Sequence, residues 1–380
     1  MKLAVLGATG SVGTQALDVA RKIGCKISAI SCNSDIKKAE LAVREFGAEL
    51  CAVENERAAS ELKAALKDTG CRVIAGEGAA ARLAAECKAD TVLNAITGIA
   101  GLMPTVKALE CGKRLALANK ESLVAAGAYV MALAGENNTE ILPVDSEHCA
   151  IWQSLRAGKS SEVKRLILTA SGGPFFGYAR SDLENVTPEQ AIKHPTWSMG
   201  TRITVDSATL MNKGFEVIEA AWLFGMNADK IDVIVHRESI IHSMVEYIDN
   251  TVIAQMSVPD MRTCIQYALT CPERREGMTE PLDLVKVGSL SFYKPDREAF
   301  PLLSLAERIC GIGGSYGAAL NGADEEAVRL FLMGKIALPR LFEAVEEATL
   351  VCGCEDTGID AVFESDRQAR AFIHDKYGIN

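Results

Sequence analysis

The feature that most constrains this chain stands at its start. An apolar run, residues 3–6, leads straight into Gly7-Ala8-Thr9-Gly10-Ser11-Val12-Gly13, and a helical pattern follows over residues 14–22. Strand, glycine turn and helix in that order open a parallel α/β sheet. Glycine lets the backbone turn tightly and approach a pyrophosphate, whose charge the helix N-terminus then meets. The spacing is GxxGxxG rather than GxGxxG, and glycine turns also occur in folds that bind nothing. Gly7, Thr9, Gly10, Ser11, Val12 and Gly13 are the cofactor candidates this turn supplies.

Strands alternate with helices beyond it. Residues 26–30, 50–53, 91–94, 115–118 and 141–144 read as strands, with a helix over 39–46, which fits a parallel sheet covered on both faces. The end of the second strand reads Ser31-Cys32-Asn33-Ser34. An NAD site usually places Asp or Glu there. The first acid is Asp35, with Lys37 and Lys38 close by, and this favours the 2′-phosphate of NADP. The same two lysines also suit the solvated face of the next helix.

The texture changes after about residue 145. Strands fit 165–169, 231–235, 239–247 and 252–257, with Asp249-Asn250 as a hairpin turn. Pro272, Pro281, Pro295 and Pro301 punctuate a linker, and helices fit 302–310, 325–333, 341–350 and 365–374. The expected architecture is an N-terminal Rossmann-like α/β domain over 1–145 and an α+β catalytic domain over 146–270. A linker over 271–300 and a C-terminal helical bundle over 301–380 complete it.

Composition narrows the function. A formal charge of -10 argues against nonspecific nucleic-acid binding but leaves room for a local basic pocket. The 12 cysteines are scattered, and Cys352-Gly353-Cys354 has no second pair at zinc spacing, so reduced thiols are expected. With a strand beginning at Lys2 and no apolar run of about 20 residues, we expect no signal peptide, no membrane span and a cytoplasmic location.

Two segments carry chemistry. Val144-Asp145-Ser146-Glu147-His148 closes an apolar strand, and Met211-Asn212-Lys213-Gly214-Phe215-Glu216 opens a helix. On an extended strand end, Asp145 and Glu147 share one face. Glu216 supplies a third oxygen, and all-oxygen ligands suit Mg²⁺ or Mn²⁺. An ordinary reading stands beside this one: Asp145 as a helix cap, Glu147 in a first turn, Glu216 on a solvated face. Ser171, Ser207, Asn212 and Lys213 could form a phosphate pocket, or be caps and a solvated lysine. Trp197 and Met199 lie in a loop bounded by Pro195 and Gly200, which suits a lid over substrate and equally a core anchor.

These segments, with Ala118-Asn119-Lys120-Glu121-Ser122, Ser171-Gly172-Gly173-Pro174-Phe175, His194-Pro195-Thr196-Trp197-Ser198-Met199-Gly200, Val205-Asp206-Ser207-Ala208-Thr209 and Ile241-His242-Ser243-Met244, occur in an order that resembles the 1-deoxy-D-xylulose 5-phosphate reductoisomerases. The resemblance covers essentially the whole chain. It implies a homodimeric enzyme of the non-mevalonate route to isoprenoid precursors, using NADPH and Mg²⁺ or Mn²⁺. Such an enzyme converts 1-deoxy-D-xylulose 5-phosphate to 2-C-methyl-D-erythritol 4-phosphate by a retro-aldol/aldol rearrangement and a hydride reduction. By resemblance, Asp145, Glu147 and Glu216 hold the metal, and Ser171, Ser207, Asn212 and Lys213 hold the substrate phosphate. Lys120, Ser146, Ser239 and His242 line the substrate site under a lid carrying His194, Trp197 and Met199. Asn33, Asn119 and Glu121 join the cofactor set.

The chain departs from the family at three places. Cys32 precedes Asn33 where a basic residue is common. His236-Arg237-Glu238-Ser239 stands for the usual His-Pro-Gln-Ser, and Asp324 for an asparagine. Two rivals share the opening turn: a semialdehyde or homoserine dehydrogenase, and a dinucleotide sensor without turnover. The first gives the Asn212-Lys213 and Trp197 segments no role, and the second does not require three carboxylates arranged for a metal.

Overall fold

The computed structural model describes residues 1–197 and 199–378. The chain divides into two compact units. Met1–Ser122, Val130–Cys149 and Asp260–Glu280 form the first; Leu123–Tyr129, Ala150–Pro259 and Pro281–Asn380 form the second.

The first unit is built on a seven-stranded sheet: β1 (Lys2–Leu6), β2 (Lys26–Cys32), β3 (Leu50–Val53), β4 (Arg72–Ala75), β5 (Thr91–Asn94), β6 (Arg114–Leu117) and β7 (Ile141–Pro143). Their order is β4-β3-β2-β1-β5-β6-β7, every neighbouring pair parallel. Such a sheet is covered on both faces, so its strands are apolar almost without alternation. Leu3, Leu6, Ile27, Ile30, Val92 and Leu93 are all fully buried, each contributing about 1.5–3 kcal/mol of apolar burial. Strand order reverses between β1 and β5, the topological switch point where open α/β sheets bind ligands. The glycine turn leaves β1 there. The Rossmann-like expectation holds. The edge strand β4 was not anticipated: it is four residues long, and Arg72 and Ala75 at its ends are exposed.

The second unit carries a four-stranded sheet: β8 (Val163–Ala170), β9 (Ile231–Val235), β10 (Ile241–Tyr247) and β11 (Val252–Met256), ordered β11-β10-β8-β9. β8 and β9 run parallel; β10 is antiparallel to β8 and β11. The hairpin turns at Asn250 with φ +67°, a conformation asparagine tolerates. Helices Leu302–Ile312, Tyr316–Leu332, Leu338–Cys352 and Ile359–Tyr377 complete the unit. Leu166, Leu168 and Val245 of the sheet share one core with Phe215, Leu303, Phe331 and Phe342. The helical C-terminus expected at 301–380 is therefore packed into the unit that holds the second sheet. The 271–300 segment expected as a linker is divided between the units, and the helix Met261–Thr270 belongs to the first. Among the described residues no helix is long and apolar enough to cross a membrane.

Candidate active site

The candidate residues fall in both units. In the first, Gly7 adopts φ +75°, and a Cβ there would lie 2.8 Å from the Ala95 carbonyl oxygen. A Cβ on Gly13 would lie 2.1 Å from the Gly7 carbonyl oxygen. Both glycines are thus demanded by close approach. The helix Ser11–Ile23 starts at Gly10 with no side chain capping it, so its first N–H groups, on Ser11 and Val12, lie at the end that favours an anion. Thr9 is half-buried in the turn. Ser31, at the end of β2, accepts from Gly7 N through its hydroxyl (3.0 Å), and its carbonyl accepts from Ala8 N (2.8 Å). This support was not recognised in the sequence.

Asn119 and Glu121 act on a neighbouring loop. Asn119 Nδ2 donates to Gly98 O (3.0 Å) and to Glu121 Oε2 (2.9 Å), while Gly98 N donates to Glu121 Oε1 (2.8 Å). The two side chains brace the turn that leaves β5. Asn33 is exposed beyond β2, as are Lys37 and Lys38, and Lys38 Nζ pairs with Asp35 at 3.2 Å. Cys32 points into the core, and burial pushes its thiol up to about 11.

Asp145 and Glu147 do not lie on an extended strand. β7 ends at Pro143, and a helix, Ser146–Ser154, begins at once. The spacing argument from an extended chain is therefore wrong: Asp145 caps this helix, accepting from Glu147 N at 3.1 Å, and Glu147 stands in its first turn. The turn after a buried strand must satisfy helix N–H groups, and a carboxylate does so well. Capping leaves Asp145 engaged on both oxygens, since Lys120 Nζ donates to Oδ2 (2.7 Å) and His148 Nδ1 meets Oδ1 (3.1 Å). Lys120 is 7% exposed and His148 fully buried. Ser146 Oγ donates to Glu147 Oε2. A buried ammonium, two carboxylates and an imidazole thus gather at one sheet end.

In the second unit Ser171 follows β8. Gly172 and Gly173 both take positive φ, +78° and +64°, and a Cβ on Gly173 would lie 2.6 Å from the Ser207 carbonyl oxygen. The 171–173 loop therefore rests on the helix Thr201–Ala208, which carries Ser207. His194 Nδ1 accepts from Trp197 N (2.8 Å), so its Nε2 carries the proton and donates to Ser171 Oγ (2.8 Å). Burial, aided by the nearby Arg237 charge, lowers the His194 imidazole to about 4. The helix Met211–Phe224 buries Lys213, Glu216 and Glu219. Glu216 accepts from Asn212 Nδ2 (2.7 Å) and from Lys213 Nζ. Glu216 is 1% exposed, so the ordinary reading of it as a solvated residue fails. A carboxylate buried this deeply needs cationic or metal partners.

His242, on β10, is buried and lowered to about 4 by desolvation. The Trp197 ring stands edge-on to it at 6.2 Å, and Trp197 and Met199 are each half-buried. Ser239 is buried with φ +51°. Ser171, His194 and Ser207 are brought together, as are Asn212, Lys213 and Glu216, and Trp197 with His242.

A parallel sheet with a glycine turn at its switch point, and buried carboxylates paired with lysines, define a dinucleotide-binding α/β enzyme. Comparison with known proteins gives the family. Residues 3–127 match 1-deoxy-D-xylulose 5-phosphate reductoisomerase; residues 141–224 and 256–372 match that protein's C-terminal domains. The chain belongs to the 1-deoxy-D-xylulose 5-phosphate reductoisomerase family. It is 49% identical to the enzyme of that name from Caldanaerobacter subterraneus subsp. tengcongensis, over 99% of each chain. It is 46% identical to that of Ruminiclostridium cellulolyticum, over 97% of each. The Zymomonas mobilis reductoisomerase in complex with NADPH superposes with a TM-score of 0.92 at 39% identity, covering 98% of this chain and 97% of that one. A reductoisomerase in complex with NADPH, fosmidomycin and magnesium superposes with a TM-score of 0.93 at 36% identity, covering 100% and 98%.

Proposed function

We propose that this chain converts 1-deoxy-D-xylulose 5-phosphate to 2-C-methyl-D-erythritol 4-phosphate with NADPH and a divalent metal, supplying isoprenoid precursors. The observation that carries this reading is likeness along the entire chain, 49% identity over 99% of a reductoisomerase. It rests equally on both units, so a shared nucleotide fold alone does not account for it.

Asp145, Glu147 and Glu216 are the metal ligands in this reading. Their donor atoms are all hard carboxylate oxygens, which fits Mg²⁺ or Mn²⁺. The depth of Glu216 adds a second reason, since a buried anion favours a cation beside it. Bound there, the cation would polarise the substrate's carbonyl and hydroxyl oxygens as a Lewis acid. Lys120 holds a positive charge against Asp145, at the sheet end where negative charge develops on the substrate. Ser171, Ser207, Asn212 and Lys213 grip the phosphate, and binding energy there orients the distant reacting carbons. His194, in its neutral form, fixes the Ser171 hydroxyl. Trp197 and Met199 cover the substrate, and Ser146, Ser239 and His242 contribute to its binding, excluding water from fragments that must recombine. Gly7, Thr9, Gly10, Ser11, Val12 and Gly13 receive the NADPH pyrophosphate, Asn33 lies towards its ribose, and Asn119 and Glu121 shape the adjoining loop. The assembly we propose is a cytoplasmic homodimer.

The test is NADPH consumption with 1-deoxy-D-xylulose 5-phosphate in the presence of Mg²⁺, Mn²⁺ or chelator. Metal-dependent consumption yielding the branched tetrol phosphate is the expected result. Folded, NADPH-binding protein without turnover refutes the reading.

A further inference from the structure

The turn at residues 236–239 is tied to the loop that carries Ser171. Arg237 Nη1 donates to the carbonyl oxygens of Ser171 (3.1 Å) and Gly173 (2.7 Å). Its guanidinium lies over the Phe176 ring, 4.9 Å from the centroid. The next residue, Glu238, pulls the other way: Oε1 accepts from Ser291 Oγ (2.6 Å), and His236 Nδ1 donates to the Ser291 carbonyl (2.9 Å). The turn is thus anchored on both sides, with Ser239 held in its left-handed conformation between these ties and β10.

We propose that Arg237 is a positioning residue of the phosphate pocket: its guanidinium locks the 171–173 loop in the form that presents Ser171 to the substrate phosphate. The proposal rests on the function proposed above and adds a residue to it. Two consecutive glycines make that loop costly to order. It is held at Ser171 Oγ by His194 and by Gly173 N–H (3.3 Å), and at Gly173 by close packing on Ser207, and none of these ties engages the Ser171 or Gly173 carbonyl. Arg237 grips both carbonyls and so fixes the planes of their peptides. In a trans peptide the N–H points opposite to the carbonyl. Anchoring the Ser171 carbonyl on Arg237 therefore aims the Gly172 N–H away from it and keeps a carbonyl dipole from facing the incoming phosphate. A proline at this position would have no side-chain donor for this. Lysine presents a compact, freely rotating ammonium in place of Nη1 hydrogens fixed in the guanidinium plane, and would hold the two carbonyls less rigidly.

The variants are Arg237→Met, which keeps the stem against Phe176, and Arg237→Lys. Losing two charge-assisted hydrogen bonds should raise KM for 1-deoxy-D-xylulose 5-phosphate by about ten- to a hundredfold, leaving KM for NADPH unchanged. Arg237→Lys should recover part of the loss. The His194 imidazole, followed by NMR, should titrate higher in Arg237→Met, because a neighbouring cation has gone. An unchanged substrate KM overturns the proposal, as does a lowered melting temperature with both KM values raised equally. If Arg237→Met does not fold, Arg237→Lys decides by the same split between substrates. A wild type without turnover refutes the function itself. The Arg237 role then stands or falls on whether Arg237→Met weakens binding of inorganic phosphate.

Discussion

Asp324 offers a clean electrostatic test of the second unit. It is fully buried on the helix Tyr316–Leu332. Arg202 reaches Asp324 Oδ2 (3.4 Å), Asn321 Oδ1 (3.0 Å) and Glu325 Oε2 (3.0 Å), with Asp206 Oδ2 at 3.7 Å. Arg370 pairs with Asp366 and Glu325. Four carboxylates thus share two guanidinium groups. Burial, only partly offset by Arg202, raises the Asp324 carboxyl from 3.8 to about 6. The folded state therefore holds this proton more tightly than the unfolded chain. The resulting stability is complete below about pH 4 and is lost as pH rises through about 6. At pH 8 the ionised group costs at most about 3 kcal/mol, taking about 1.4 kcal/mol per tenfold change in proton affinity. Asparagine keeps the shape and an acceptor for Arg202 without the charge. Asp324→Asn should be more stable than wild type at pH 8 by about 2–3 kcal/mol and about equal to it at pH 4. The assay is the urea midpoint at both pH values, with hydrogen exchange in the helix Tyr316–Leu332 because two units need not unfold together. Histidines titrate in both proteins and cancel in the difference. A pH-independent difference, or a variant less stable at pH 8, refutes the argument.

Gly173→Ala should destabilise the protein by about 1–3 kcal/mol from backbone strain alone, and raise substrate KM because the new Cβ strikes the Ser207 carbonyl; unaltered melting and KM would contradict the close packing. His242 stays neutral to about pH 4 through burial, whereas an unfolded histidine titrates near 6.5. Its contribution is therefore present above pH 6.5 and lost as pH falls towards 4, so His242→Gln should lose less stability than wild type between pH 7 and 5. Parallel melting curves for the two proteins would refute this. Glu216→Gln should raise the metal concentration for half-maximal activity at least about tenfold by removing an anionic ligand. Wild-type activity at limiting metal would exclude Glu216 from the ligand set.

Periodicity and punctuation revealed most elements. β1 with its glycine turn and the β10–β11 hairpin are local patterns that fold as they read. What escaped depends on tertiary contacts. The sequence pattern gives a helix only over residues 325–333, whereas the structure runs it over Tyr316–Leu332. The structure uses Gly322 for close packing: a Cβ there would lie 2.5 Å from the Asp366 carbonyl oxygen. The candidate site was legible in residue identity, since motif order carries it, but not in geometry. The apolar run 141–144 suggests a strand that carries on into Asp145 and Glu147, but such a pattern does not show where a helix starts. The Ser31 support of Gly7 and the Arg237 grip on 171–173 join residues 24 and more than 60 positions apart, beyond the reach of any local pattern.

The lysine–carboxylate pairs set how variants of this site must be interpreted. Lys213 and Glu216 lie one turn apart on a helix that buries both, and Lys120 faces Asp145 in the first unit with little exposure on either side. Removing one member of a buried pair leaves the other charge short of its nearest counterion, which typically costs about 3–5 kcal/mol. Lys213→Ala alone would therefore lose stability and phosphate affinity together, and activity would not separate the two. Replacing both partners with neutral groups of similar shape removes the electrostatic penalty. Lys213→Met combined with Glu216→Gln should melt closer to wild type than Lys213→Met does, while turnover stays lost and NADPH still binds. Recovery of turnover with stability would mean that the pair serves folding only. Stability recovered without turnover assigns both charges to the chemistry, and their burial then follows from function, since an apolar pair of equal volume would fold at least as well.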